Sequence, residues 1–239
     1  MSRIRIIGLA LVAVFAMGAI ASASASAMEL EYTAHSSNKI EKGIQVGEGE
    51  LETKAGRDVK CTGGSTTAGE IVTSKIATVK SVIFTGCKST KFGGGSCQNG
   101  AKGVITTNEL TSELVYPVGT RMLHTQAAVV FKPKNATGGF VTFTCETLIG
   151  TETLKVTGSL VCHIEPVNAA ASKIATLKCT RSATKGVQDL VEYENEAGAV
   201  TKGVFLETTG TGPEPFGPEQ SSQKSETELE VKTATKIKA

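Results

Sequence analysis

Six cysteines, Cys61, Cys87, Cys97, Cys145, Cys162 and Cys179, are the residues of this 239-residue chain best fitted by type and spacing to do chemistry. Their number is even, and no Cys-x-x-Cys pair occurs among them. Tetrahedral metal sites draw on such short ligand spacings, so the pattern favours three disulfides over a metal centre. Cys162 and Cys179 fall on consecutive predicted strands around a turn at 168–171, at nearly facing positions. That predicts a cross-strand bridge. Cys87 with Cys97 would close a Gly-rich loop, leaving Cys61 for Cys145. An internal duplication would instead pair Cys61 with Cys87, Cys145 with Cys179 and Cys97 with Cys162.

The rest of the reactive inventory is thin. There are three histidines, His35, His124 and His163, and two aspartates, Asp58 and Asp189. His163 and Glu165 share a face of one predicted strand, a spacing that permits acid and base roles or weak metal binding, although a solvated sheet face has the same look. Cys162 beside His163 points to the opposite face, which denies the ion pair a cysteine protease needs. His124 sits in a predicted loop without an identifiable partner. Ser182-Ala183-Thr184-Lys185 matches Ser-x-x-Lys, and Lys232-Thr233-Ala234 loosely matches Lys-Thr-Gly. However, the Ser-Asp-Asn element and the buried helix of penicillin-binding enzymes are missing. No phosphate-binding glycine motif and no Gly-x-Ser-x-Gly elbow occurs. With no Trp and only three Tyr, aromatic platforms for sugars are scarce. Asn135-Ala136-Thr137 matches a glycosylation sequon and reads as a loop. The sequence therefore assigns no catalytic residue, no cofactor and no metal.

Strands must position whatever chemistry exists. Period-two alternation dominates and no long 3.6-residue stripe appears, so the chain reads as all-β, an antiparallel sandwich or flattened barrel. Strands are predicted over 30–34, 48–54, 70–73, 79–85, 103–107, 127–131, 141–145, 152–156, 160–164, 173–179, 190–194, 200–206 and 227–232. Residues 208–225 carry three prolines among Gly, Ser, Glu and Gln, and read as a long exposed loop before a final strand. A faint echo links Val59-Lys60-Cys61-Thr62 with Phe143-Thr144-Cys145-Glu146, which raises the prospect of two related halves.

The N-terminus supplies an address. Arg3 and Arg5 precede an apolar run over 6–20, and 21–27 alternates Ala with Ser, the form of an export signal cut after Ala27. Residues 28–239 are then a single domain, with no transmembrane anchor and no lipidated cysteine at the cut. Loss of the two leader arginines leaves 23 basic residues against 23 acidic ones. A neutral chain has no overall field to draw it to nucleic acid.

Three stretches taken together, Val59-Lys60-Cys61-Thr62-Gly63, Val82-Ile83-Phe84-Thr85-Gly86-Cys87-Lys88-Ser89, and Lys155 to Val161 followed by Ile164-Glu165-Pro166-Val167-Asn168, resemble a family of uncharacterised exported β-rich proteins of high-GC Gram-positive bacteria. The resemblance implies an exported β-protein and no activity. The reading favoured by the sequence is a non-enzymatic, disulfide-braced module at the cell surface or in the medium, with a cell-wall polymer or another envelope protein as partner. The alternatives are a secreted hydrolase with dispersed residues, His163 and Glu165 first among them, and a small-ligand-binding β-barrel. A filled core with a flat polar surface marks the first, a cleft of converging carboxylates or histidines the second, and an apolar cavity the third.

Overall fold

A computed structural model describes residues 29–91 and 94–239, so the leader expected at 1–27 lies outside the described residues. Alternating Val, Ile and Thr segments broken by Gly and Pro turns give twenty strands among the described residues. The first are β1 (Glu31–Tyr32), β2 (Asn38–Thr53), β3 (Asp58–Cys61), β4 (Gly63–Thr66), β5 (Gly69–Ile71), β6 (Ile76–Val79) and β7 (Val82–Thr85). Next come β8 (Cys97–Gln98), β9 (Val104–Thr106), β10 (Leu110–Pro117), β11 (Ala127–Pro133), β12 (Val141–Thr147) and β13 (Gly150–Gly158). The last are β14 (Leu160–Glu165), β15 (Ser172–Cys179), β16 (Glu192–Glu194), β17 (Val200–Lys202), β18 (Leu206–Thr211), β19 (Phe216–Thr235) and β20 (Ile237–Lys238).

Eight strands close an antiparallel barrel. The order is β2, β5, β6, β10, β11, β14, β15 and β19, which returns to β2. Closure gives every barrel strand a neighbour on both sides. β2 and β19 are long enough to continue beyond this barrel into a second lobe. There β19 pairs β18, followed by β13, β12 and β8, while β2 pairs β3 and β4, and β4 leads to β7 and β9. Asn99 ties the remaining side: its Nδ2 donates to the carbonyls of Thr106 and Thr142 at 2.8 and 3.2 Å.

Between the lobes the β2–β19 ladder skips. Glu50 faces Lys224 and Val46 faces Glu226, so Gly47, Glu48 and Gly49 bulge opposite Ser225 alone. Gly47 has φ +75°, a conformation only glycine adopts without strain. Each lobe has its own core. The barrel buries Ile40, Ile71, Val79, Val129, Leu177 and Leu229 among others. The second lobe buries Val59, Ile105, Phe143, Leu154, Val156 and all six cysteines. A third cluster forms outside the barrel, where Tyr193 of β16 and Val204 cover Val115, Ala128, Val130 and Val161. This cover explains why β11 is apolar on both faces. At the far end of the barrel, β20 pairs β1, with Leu30, Tyr32, Ile237 and Ala239 buried beneath.

The architecture is the expected all-β barrel, with three differences of detail. First, 208–225 is not a long loop: β18 and β19 occupy most of it and only 212–215 turns. Small hydroxyl residues make this seam. Thr208 and Ser221 are both buried and share a 2.8 Å hydrogen bond, and Pro218 sits where the register shifts and no ladder donor is needed.

Second, the disulfides are Cys61–Cys87, Cys97–Cys145 and Cys162–Cys179, with Cα separations of 4.0, 4.0 and 4.3 Å. The expected Cys162–Cys179 bridge is present. Cys87–Cys97 and Cys61–Cys145 are not, because strand register decides the pairing. Cys97 lies directly opposite Cys145, and the pairs Lys60–Lys88 and His163–Lys178 put the other cysteines opposite one residue on.

Third, neither lobe is a consecutive half of the chain. Successive hairpins alternate between them: β5 and β6 join the barrel, β7 to β9 the second lobe, β10 and β11 the barrel, β12 and β13 the second lobe.

Candidate functional site: an apolar cavity through both lobes

Inward alternation of Val, Ile, Leu and Phe lines both lobes with apolar side chains, and they do not fill the space between them. A cavity of about 180 Å³ runs from the barrel into the second lobe. Ile40, Val79, Val129 and Leu229 line the barrel part, and Phe140 and Val156 the other. Natural interiors rarely leave voids much larger than a water molecule, so a space of this size needs explanation. Among the described residues, Glu50 and Lys236 are the charged residues on its wall.

The outer end lies where the barrel seam opens. Opposite Ser172 stands Thr235, but opposite Ile174 stands Glu230, so residues 231–234 of β19 pass Lys173 with no matching partners on β15. Pro166, Ala170 and Ile174 are exposed there and also line the cavity, beside Lys236 and Ile237. The cavity therefore reaches the surface beside the β1–β20 closure.

Polar residues share the wall, among them Gln45, Ser65, Thr66, Ser112, Ser225 and Thr227. The hydroxyl of Ser112 donates to the carbonyl of Ala77 at 3.2 Å. Glu50 pairs with Lys60 at 3.8 Å and Arg181 at 3.1 Å, and Arg181 also holds Glu52 at 2.7 Å. Burial without a charged partner pushes the Tyr32 phenol well above its ordinary value. Gln45, only 9% exposed, differs. Its Nε2 donates to the carbonyl of Gly47 at 2.8 Å and of Cys61 at 3.4 Å, while Oε1 is buried without a hydrogen-bond partner. Two carbonyl acceptors on one side fix which way the amide faces. The amide lies against Gly49 and Gly64, where a Cβ would come 2.9 and 2.8 Å from Oε1.

The residues singled out in the sequence lie elsewhere. His163 and Glu165 face outward on β14, and Glu165 binds Lys178 at 3.0 Å, a hydrogen bond that raises the Lys178 ammonium pKa. Ser182 closes a local turn: its hydroxyl accepts from the Thr184 amide at 3.0 Å and donates to the Thr184 carbonyl at 3.3 Å. Asn135 likewise accepts from Thr137 within its own loop. Among the described residues no three His, Cys, Asp or Glu side chains cluster as a metal site. Glu152 is wholly buried with Oε1 unpartnered, but Gly210, Gly212 and the Phe216 ring fill the space around it. Gln45 was not legible as a site residue, because β2 between 38 and 47 alternates Lys, Glu and Gly and carries few apolar signals. The clue is a polar inward position set among three glycines, Gly43, Gly47 and Gly49.

Compared with known protein families, curated proteins and solved structures, the chain matches none, so the cavity must be read from its own chemistry.

Proposed function

We propose that the protein is a secreted binder of a small apolar molecule, held in the cavity that joins the two lobes. The observation that carries this reading is the cavity itself, about 180 Å³ with a largely apolar wall in which Val, Ile, Leu and Phe predominate. An apolar cavity of roughly 150 Å³ is known to stay dry and to take up benzene, so this one suits a single ring or a comparably compact hydrocarbon. An apolar cavity is the feature expected of the small-ligand-binding barrel among the readings the sequence allows. Three disulfides between neighbouring strands fit an oxidising, extracytoplasmic environment. The export signal read at 1–27 supplies the route out of the cell.

Calorimetric titration with p-xylene tests the reading. The expected result is saturable binding of one molecule per chain. At a free concentration 100 times Kd this stabilises the fold by about 2.7 kcal/mol, equivalent to a Tm rise of about 5–10 °C. No saturable heat and no Tm change up to the solubility limit contradicts it.

A further inference from the structure

Resting on that reading, we infer that the ligand is an amphiphile, with its apolar body in the cavity and a carboxylate head held at the mouth by Lys236, Ser172 and Thr235. All three residues line the cavity where the barrel seam opens. Ser172 and Thr235 stand directly opposite each other across the seam, and Lys236 follows Thr235. Each hydroxyl oxygen already accepts a hydrogen bond: Ser172 Oγ from the Ile174 amide at 2.9 Å, and Thr235 Oγ1 from the Ala34 amide at 3.1 Å. Neither hydroxyl hydrogen has an acceptor among the described residues, so each has a proton left to donate. Lys236 is half-buried and makes no ion pair among the described residues. A lysine stem laid along an apolar wall keeps its ammonium at the edge of the water, which is where the head of a bound amphiphile stands. A carboxylate only accepts, and so matches a set of groups with only protons to give.

The distribution of charge gives the head its sign and its place. Among the described residues Lys236 is the one cation on the wall and Glu50 the one anion. Glu50 lies at the joint between the lobes and is taken by Lys60 at 3.8 Å and Arg181 at 3.1 Å. The wall residues Ser65, Thr66, Ser225 and Thr227 stand toward that inner end, so an anion held by them would have the Glu50 carboxylate for its nearest charge on the wall. At the mouth the acids are committed or turned away. Glu31 binds Lys238 at 3.3 Å, Glu165 binds Lys178 at 3.0 Å, and Glu230, opposite Lys42 and Ile174, is not on the wall. Lys173 and Lys232, both exposed, lie in the unmatched segments of the seam and add positive charge beside the opening. A cationic head would meet three lysines there, and an anionic one is drawn to them.

The test compares octanoate with 1-octanol by calorimetric titration, the same chain with a charged and with a neutral head, and keeps p-xylene as the probe of the cavity alone. Without a cation at the mouth the carboxylate loses hydration that nothing replaces, and octanoate then binds more than threefold more weakly than 1-octanol. The expected result is octanoate binding within threefold of 1-octanol or more tightly. In Lys236→Met the expectation is a loss of about tenfold for octanoate, with 1-octanol within threefold of its original affinity. If p-xylene or 1-octanol binds and octanoate is more than threefold weaker than 1-octanol, the anion inference is overturned while the apolar site stands. Octanoate affinity unchanged in Lys236→Met, or equal losses for both ligands, also overturns it. If none of the three ligands binds, the cavity reading fails and the inference with it. Should Lys236→Met not fold, salt decides on the unsubstituted protein: raising the ionic strength weakens octanoate and not 1-octanol if the head is held by charge, and an octanoate affinity that salt does not weaken overturns the inference.

Discussion

Gln45, Gly49 and Gly64 act as one unit, and that makes their substitution costs predictable. At Gly64 a Cβ would lie 2.8 Å from Gln45 Oε1 and 2.9 Å from the carbonyl oxygen of Ile83. The second contact is backbone and cannot swing away. Gly64→Ala should therefore destabilise the protein by about 1–3 kcal/mol, the usual range for overpacking, read as a lower urea midpoint. An unchanged midpoint would mean that β4 shifts freely. Tyr32 gives a pH signature. Its phenol pKa lies above the ordinary value near 10 in the folded protein because burial penalises the anion. Below pH 10 both states hold the proton and the full stability is present. As pH rises past 10 the unfolded chain releases a proton that the folded one keeps, so stability falls. Tyr32→Phe should lose less stability between pH 9 and 11 than the unsubstituted protein, measured by urea unfolding. Equal losses contradict this assignment. None of these roles shows in the sequence, because an orphan acceptor and a close glycine contact exist only after distant strands meet.

Strands were legible where apolar residues alternate with Thr, as in 141–145 and 160–164, since burial of one sheet face imposes that period. β2 before residue 48 and the start of β19 were not. In both, polar and small residues face inward, because the two strands pass through the joint between lobes and pack against each other there. The β18–β19 seam shows how such a strand is held. Ser221→Ala strands the Thr208 hydroxyl and should cost about 1–3 kcal/mol, whereas Thr208→Val with Ser221→Ala removes both polar groups and should recover most of that loss. Simple additivity of Thr208→Val and Ser221→Ala in denaturant unfolding would contradict a shared hydrogen bond. The disulfides belong to this scale too. Sequence separations of 48, 26 and 17 residues imply chain-entropy contributions of about 4, 3.5 and 3 kcal/mol for Cys97–Cys145, Cys61–Cys87 and Cys162–Cys179. Paired Cys→Ala variants should rank in that order by unfolding free energy, and an inverted order would put native packing ahead of loop closure.

For the whole molecule, the alternation of hairpins between two lobes is what creates the cavity. Each lobe closes around its own apolar lining, and the two long strands hold the linings end to end without letting them interpenetrate. The six cysteines all lie in the core of the second lobe, and Cys162–Cys179 also bridges β14 and β15 of the barrel, so covalent bracing reaches both lobes. All-β character followed from alternation alone, but the interleaving did not, because strand period says nothing about which hairpin enters which lobe. The cysteine pairing was hidden for the same reason: register across strands far apart in sequence fixes it. The measurement that bears most directly on the cavity is a methyl NMR titration of the isotope-labelled protein with p-xylene. Saturable shifts at Ile40, Val129, Val156 and Leu229, with a common Kd and with exposed Leu148 and Ile149 unmoved, are predicted. Shifts confined to Leu148 and Ile149, or absent from the interior methyls at saturation, would contradict a ligand-binding cavity.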